Sequence, residues 1–224
     1  AAIAAAGGID AVVVATGHYN KAYEPAVPGV NAWIAAKPHR RKVVHSSAYR
    51  RPEQFEFQNV LVVGARASGA DIARELAARR GGGHTYLLDN SCVAPRRSRD
   101  GSCTHVPRGS ALTADGRLSL PGELALDDAA RAALESAPPI DTVILATGYV
   151  YEFPFLDADA QIAAGGRFVD PLFLHCLSAA KPTLAFVGIP LAVPVPIPLF
   201  EAQAKFVASQ WSAARAGREF ASRL

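Results

Sequence analysis

The chain of 224 residues is half hydrophobic and only 19% charged, which excludes a disordered polymer and leaves ample apolar surface for a sizeable core. Its 23 Lys and Arg against 20 Asp and Glu leave a net charge of +3, too weak a balance for a nucleic-acid partner. Three widely spaced cysteines, with no C-x-x-C, exclude a disulfide framework and a zinc site; they suit a reducing compartment, so a cytoplasmic location is expected.

The length permits one large domain or two smaller ones. The chain contains no Met and starts at Ala1, so a piece of a longer polypeptide is expected. Ala1 to Gly8 is apolar but too short, and lacks the basic flank, to read as a signal peptide. Ile9-Asp-Ala-Val-Val-Val-Ala-Thr-Gly17 follows, an apolar run ending in small residues, which is the pattern of a fully buried parallel strand. Glycine at its end lets a ligand or another backbone come close.

Tyr23 to Phe57 contains Pro25, Pro28, Pro38 and Pro52 and reads as a crossover linker. It carries His45 and Tyr49, four residues apart, which either reach a bound cofactor or simply pack within the linker.

A strand-turn-helix-strand unit comes next. Val60–Val63 is the strand, Gly64, Ala65, Arg66, Ala67, Ser68 and Gly69 the turn, Ala70 to Arg80 the helix, and His84 to Leu88 the second strand. In such a unit the first glycine makes the tight turn, free amides at the helix start face a pyrophosphate, and the last glycine lets helix and strand pack closely. Arg66 holds the middle glycine's place, where its side chain either obstructs the approach of a ligand or pairs with phosphate. Asp89, 20 residues after Gly69, has the position of an acid that takes a ribose hydroxyl, while the nearby Arg96, Arg97 and Arg99 would favour a phosphate there. Ser110 to Leu120 reads as a polar hairpin and Asp127 to Ser136 as an Ala-rich surface helix.

Ile140-Asp-Thr-Val-Ile-Leu-Ala-Thr-Gly148 then repeats the earlier run at Ile9 to Gly17, so Thr16, Gly17, Thr147 and Gly148 are paired candidates for cofactor contact. Two similar buried strands without a shared ligand would give the same pattern. The aromatic stretch Tyr149 to Leu156 is expected to be core. Pro182 to Phe200 is uncharged and nearly long enough to span a membrane, but Pro190, Pro194, Pro196 and Pro198 exclude a regular helix, and a buried strand followed by an extended loop is expected. A terminal helix presents Phe200, Ala204, Val207 and Trp211 on one face, with Glu201 and Gln203 in its first turn for capping or for cofactor contact.

Taken together, Asp10 to Tyr19, His45 to Arg50, Val60 to Leu76, Asp141 to Leu156 and Pro182 to Trp211 resemble the flavin-containing monooxygenases. The pattern is most similar to the S-oxygenating type of plants and fungi, in which the second turn also often lacks its middle glycine. The resemblance implies an α/β, Rossmann-like flavoprotein with two dinucleotide-binding domains, the NADPH domain being inserted into the FAD domain. The expected boundaries are 1–58 for the end of the first FAD-domain half plus crossover linker, 59–148 for the NADPH domain, and 149–224 for the closing part of the FAD domain.

Residue by residue, the resemblance assigns Gly64 to Gly69 to the NADPH pyrophosphate, and His45 and Tyr49 to the end of the identifying F-x-G-x-x-x-H-x-x-x-Y/F pattern. His39 and Arg41 stand where that pattern has Phe and Gly. Tyr49 in place of Trp argues against the related Baeyer-Villiger group, which is kept as an alternative. The implied reaction uses FAD, NADPH and O2 to place one oxygen atom on a soft small-molecule sulfur or nitrogen, through a C4a-hydroperoxyflavin. No FAD pyrophosphate turn precedes Asp10, so the isolated chain is expected to be inactive and to retain little flavin. A noncatalytic nucleotide-binding fragment or pseudoenzyme is the competing reading. A flavin disulfide reductase would require the absent C-x-x-C.

Overall fold

The structure, a computed structural model, describes residues 8–79, 81–122, 131–132, 134, 136–156, 164–189 and 193–215. The strands are β1 (Val12–Val14), β2 (Lys21–Ala22), β3 (Lys42–His45), β4 (Val60–Val63), β5 (Thr85–Asp89), β6 (Arg96–Arg97) and β7 (Cys103–Pro107). They continue with β8 (Ala111–Leu112), β9 (Leu118–Ser119), β10 (Thr142–Leu145), β11 (Tyr149–Val150), β12 (Leu172–Phe173), β13 (Leu177–Ser178) and β14 (Leu184–Phe186). The helices are α1 (Val30–Ala36), α2 (Ala67–Ala78) and α3 (Pro196–Arg215). The chain forms two compact units, one of residues 22–148 and one of residues 1–21 with 149–224.

The unit of residues 22–148 is built on a six-stranded sheet in the order β3-β10-β4-β5-β7-β6. All neighbours are parallel except β6, which runs antiparallel to β7. The apolar run Val60-Leu-Val-Val63 follows from this position, because a parallel strand covered on both faces has no polar side. Leu61 and Val63 pack with Trp33, Tyr86, Val143 and Leu145 on one face. Val60 and Val62 pack with Phe55, Ile72, Leu76 and Ile144 on the other. Each such side chain contributes roughly 1.5–3 kcal/mol on burial.

The segment expected as a crossover linker is structured and belongs to this unit. Lys42-Val-Val-His45 is short, but pairing along the whole of β10 makes it a strand. Pro25, Pro28 and Pro38 lie outside the helices and strands, Pro52 opens a short 3-10 turn (Pro52–Phe55), and α1 caps one sheet face with Trp33, whose Nε1–H donates to the Ile140 carbonyl at 3.1 Å. The hairpin expected within Ser110 to Leu120 is present as β8 paired with β9. The expected helix at Asp127 to Ser136 lies largely outside the described residues.

The other unit carries a four-stranded sheet in the order β1-β14-β13-β12, in which β1 and β14 are parallel and the remaining pairs antiparallel. Val14, Tyr151, Phe153 and Phe186 form a core on one side, so the middle of the aromatic stretch is core as expected; Phe155 is exposed. On the other side Leu177, Ala185 and Val207 pack together with Phe206 and Trp211 of α3.

α3 corrects the expectation of an extended loop up to Phe200. It begins at Pro196, and Pro198 also lies in its first turn. A proline there loses nothing, since the first amides of a helix have no intrahelical acceptor and the fixed φ of proline already suits a helix. The inward face also shifts: Gln203, Phe206 and Val207 turn inward and Ala204 is exposed. Among the described residues no helix is long and apolar enough to cross a membrane.

Candidate functional site

The turn between β4 and α2 is shaped by two glycines. Gly64 has φ of 104°, a region that side chains resist, and a Cβ there would lie 2.7 Å from the Ala146 carbonyl oxygen. Gly69 lies inside α2, where a Cβ would come within 1.7 Å of the Gly64 carbonyl oxygen and 3.2 Å of the Ala146 Cβ. The helix start, the turn and the end of β10 are therefore pressed together, and only hydrogen fits between them.

α2 has no acidic residue in its first turn, and its N-cap, Arg66, makes no side-chain capping bond. The first-turn amides thus present their positive end outward, an arrangement that suits a phosphate. Arg66, Ala67 and Ser68 are exposed. Arg66 is the N-cap of α2, with extended backbone and an exposed side chain.

His45 ends β3 and is buried. Its Nδ1 accepts from the Ser47 amide at 3.2 Å, which leaves the proton on Nε2; that N–H donates to the Gly148 carbonyl at 3.0 Å. Tyr49 stacks on Phe55 and donates its hydroxyl to Glu75 of α2 at 2.7 Å. Burial, then the Glu75 contact, push its pKa well above the usual phenol range. Both residues are engaged by protein partners. Replacing His45 with Ala would remove one hydrogen bond from Gly148, whose carbonyl keeps a backbone donor, and one from the Ser47 amide, and is expected to cost about 1–3 kcal/mol, measured by denaturant unfolding.

Thr147 and Gly148 are held from the chain's entry into this unit. The Thr147 hydroxyl donates to the Tyr23 carbonyl, and the Tyr23 amide donates to the Gly148 carbonyl at 2.9 Å. Gly148 has φ of 81° with open space where a side chain would lie. Its counterpart Gly17 in the other unit has φ of 78° and is equally open, so the two Ala-Thr-Gly ends share a backbone form.

Thr16 and Gly17 are exposed, and the next residue, His18, leads from them to Gln203. His18 Nδ1 lies 2.8 Å from the Gly188 carbonyl, and the Gly188 amide donates to Gln203 Oε1 at 3.1 Å. Tyr19 packs edge-on against the imidazole at 4.2 Å. The proton on Nδ1 leaves Nε2 as an acceptor, and this atom is buried without a partner among the described residues. Sequence reasoning missed His18 and Gly188. The signal for His18 was its place after Gly17, where the second copy has Tyr149 after Gly148.

Asp89 closes β5. Its carboxylate accepts from the Ser91 hydroxyl at 2.7 Å and the Ser91 amide at 2.9 Å, and these bonds hold it below the usual carboxylate range. Arg96 stands 4.0 Å from it and donates to His105 Nδ1 at 3.2 Å. The acid and the nearest of the arginines therefore share one place.

A doubly covered parallel sheet, with a glycine turn and a bare helix start at the carboxyl end of a central strand, defines a dinucleotide-binding protein of Rossmann-like fold. The model of the flavin-binding monooxygenase-like family matches residues 5–88 and 129–214, and the chain belongs to that family. It is 37% identical over 206 residues to flavin-containing monooxygenase FMO GS-OX-like 9 of Arabidopsis thaliana, covering 89% of this chain and 40% of that protein. With flavin-containing monooxygenase FMO GS-OX5 of the same plant it shares 33% identity over 204 residues, covering 91% and 40%. Among solved structures, the S-allyl-L-cysteine S-oxygenase of Allium sativum superposes with a TM-score of 0.67 at 26% identity, covering 94% of this chain and 49% of that one. A flavin-containing monooxygenase of Stenotrophomonas maltophilia, at 18% identity and a TM-score of 0.66, shares the fold; the match covers 91% of this chain and 63% of that one. The chain spans about 40% of the length of the curated relatives it matches. Family membership implies FAD and NADPH as the cofactors.

Proposed function

We propose that this chain is the NADPH-handling part, with a portion of the FAD-handling part, of a monooxygenase that transfers one oxygen atom from O2 to a soft small-molecule nucleophile, a thioether sulfur before an amine nitrogen. The carrying observation is the turn at 64–69, where the interlocked glycines hold an uncapped helix start beside an exposed arginine. The preference for sulfur draws on the likeness to the S-allyl-L-cysteine S-oxygenase.

In this reading the amides at the start of α2 and the Arg66 guanidinium hold the NADPH pyrophosphate. His45 and Tyr49 are positioning residues, fixing Gly148 and α2. Gly17 and Gly148 leave open space at their α-carbons for a cofactor, with Thr16 and Thr147 beside them. The buried acceptor on His18 fits a donor from a bound group, with Gln203 fixing Gly188 beside it. FAD, when bound, takes reducing equivalents from NADPH and activates O2. The protein's share is to bind, orient and exclude water, which accords with the absence of a nucleophile-base pair from the residues described above. One pyrophosphate turn of this kind occurs among the described residues, so the 224-residue chain alone is expected to bind NADPH without oxygenase turnover. The free, buried Cys92, Cys103 and Cys176 suit a reducing, cytoplasmic setting.

The test is NADPH-driven sulfoxidation of an alkyl aryl sulfide by the full-length protein, with Arg66→Glu as the diagnostic variant. A carboxylate at the helix start should lower kcat/KM for NADPH by about tenfold or more while the fold melts normally. Lack of sulfoxide formation by flavin-loaded wild type would refute the oxygenase reading. An unaltered NADPH response in the variant would remove the turn from the site.

A further inference from the structure

We propose that a basic cavity at the amino ends of β3, β4 and β10 binds a nucleoside phosphate, with the phosphate held by Lys37, Arg40 and Lys42 and the base against Phe57. The cavity has a volume of about 530 Å³ and is lined by these residues together with His39 and Asp141. That size suits a small organic anion. It lies at the opposite end of β4 from the turn at 64–69, roughly 15 Å away along the strand.

Charge carries the argument. Lys37, Arg40, Arg41 and Lys42 face this space against a single carboxylate, Asp141, whose Oδ2 already accepts the Asn59 amide at 2.9 Å. None of the four cations has a carboxylate within ion-pair distance among the described residues. Arg41 is buried and anchors the wall: its guanidinium donates to the Trp33 and Ala114 carbonyls, each at 2.6 Å, and lies 5.3 Å from the Trp33 ring centre. Its charge is therefore uncompensated and adds to the field of the exposed cations above it. Lys42 is held over the Phe55 ring at 5.1 Å, a contact that restrains the ammonium without neutralising it. So dense a group of like charges is unfavourable by itself and is relieved by an anion.

Phe57 supplies the second, independent observation. It is 78% exposed and has φ of 59°, and its amide is tied to the Gly81 carbonyl at 3.2 Å. A bulky aromatic residue in the left-handed region, with its ring in water, is unfavourable on both counts. A flat ring stacked on it would cover that surface, and nucleobases stack on such platforms irrespective of their edge pattern. Arginine, lysine and an exposed ring lining one cavity thus match a ligand that carries both a phosphate and a planar base.

The experiment titrates ADP and inorganic pyrophosphate into the 224-residue chain, with hydrogen exchange to locate each. ADP is expected to protect residues 37–42 and 57–58 and to bind more tightly than pyrophosphate. Lys37→Glu with Arg40→Glu should weaken ADP by about tenfold or more. Phe57→Gly, which keeps the left-handed backbone without strain, should bring ADP down to the level of pyrophosphate. Arg66→Glu, at the other end of the strand, should leave the protection at 37–42 in place. Protection confined to 64–69, or ADP affinity unchanged in the double variant, overturns the site. Equal binding of ADP and pyrophosphate in the wild type overturns the assignment of the base to Phe57.

Discussion

Replacing Gly69 with alanine is expected to destabilise the unit of residues 22–148 by about 3 kcal/mol or more, and to abolish NADPH binding with it. The added carbon would sit 1.7 Å from the Gly64 carbonyl oxygen, and that oxygen cannot retreat, because Gly64 is itself backed against Ala146 at the end of β10. Backbone meets backbone on both sides, so no side-chain rotation relieves the overlap. Gly122→Ala is the control, since that glycine has no neighbour within 4 Å and no positive φ. Denaturant unfolding of both variants checks the prediction; a loss at Gly69 as small as at Gly122 would show that α2 can slide along the sheet.

Replacing Arg96 with alanine is expected to lower the preference for NADPH over NADH by roughly 10- to 100-fold, the worth of a charge-assisted contact to phosphate. Asp89 has the position of a ribose-binding acid, but its Oδ1 is occupied by Ser91, and Arg96 and His105 stand at its other oxygen. Removing Arg96 leaves an ionised carboxylate facing the extra phosphate, so NADPH should lose far more than NADH. Dissociation constants for the two nucleotides decide it. A preference for NADH in the wild type would mean that Asp89 governs the site.

Most of the nucleotide unit was legible because its signals are local. A four-residue apolar run bounded by Asn59 and Gly64 has few alternatives to a buried strand, and Gly69 has the helix-packing role its spacing suggested. What escaped the sequence depends on partners distant along the chain. β3 is a strand because β10, a hundred residues later, pairs with it, and proline-rich surroundings hide that. The start of α3 escaped because proline was weighed as a helix breaker without regard to position, although the first turn tolerates it. The roles of His45 and Tyr49 are fixed by contacts with Gly148 and Glu75 that no spacing reveals. His18 is instructive in another way: an unpaired buried nitrogen is visible only once every neighbour is in place.

The paired bonds between Tyr23 and the Thr147-Gly148 end have a consequence for how such a unit is acquired and exchanged. They hold the entry and the exit of residues 22–148 side by side. A polypeptide carrying this unit meets it as it would meet a short loop, since the two cut ends are already together, and the closure entropy is borne by the unit's own fold. The unit is therefore suited to being moved whole: grafted between two adjacent residues of another surface loop, it should fold there without stretching its host.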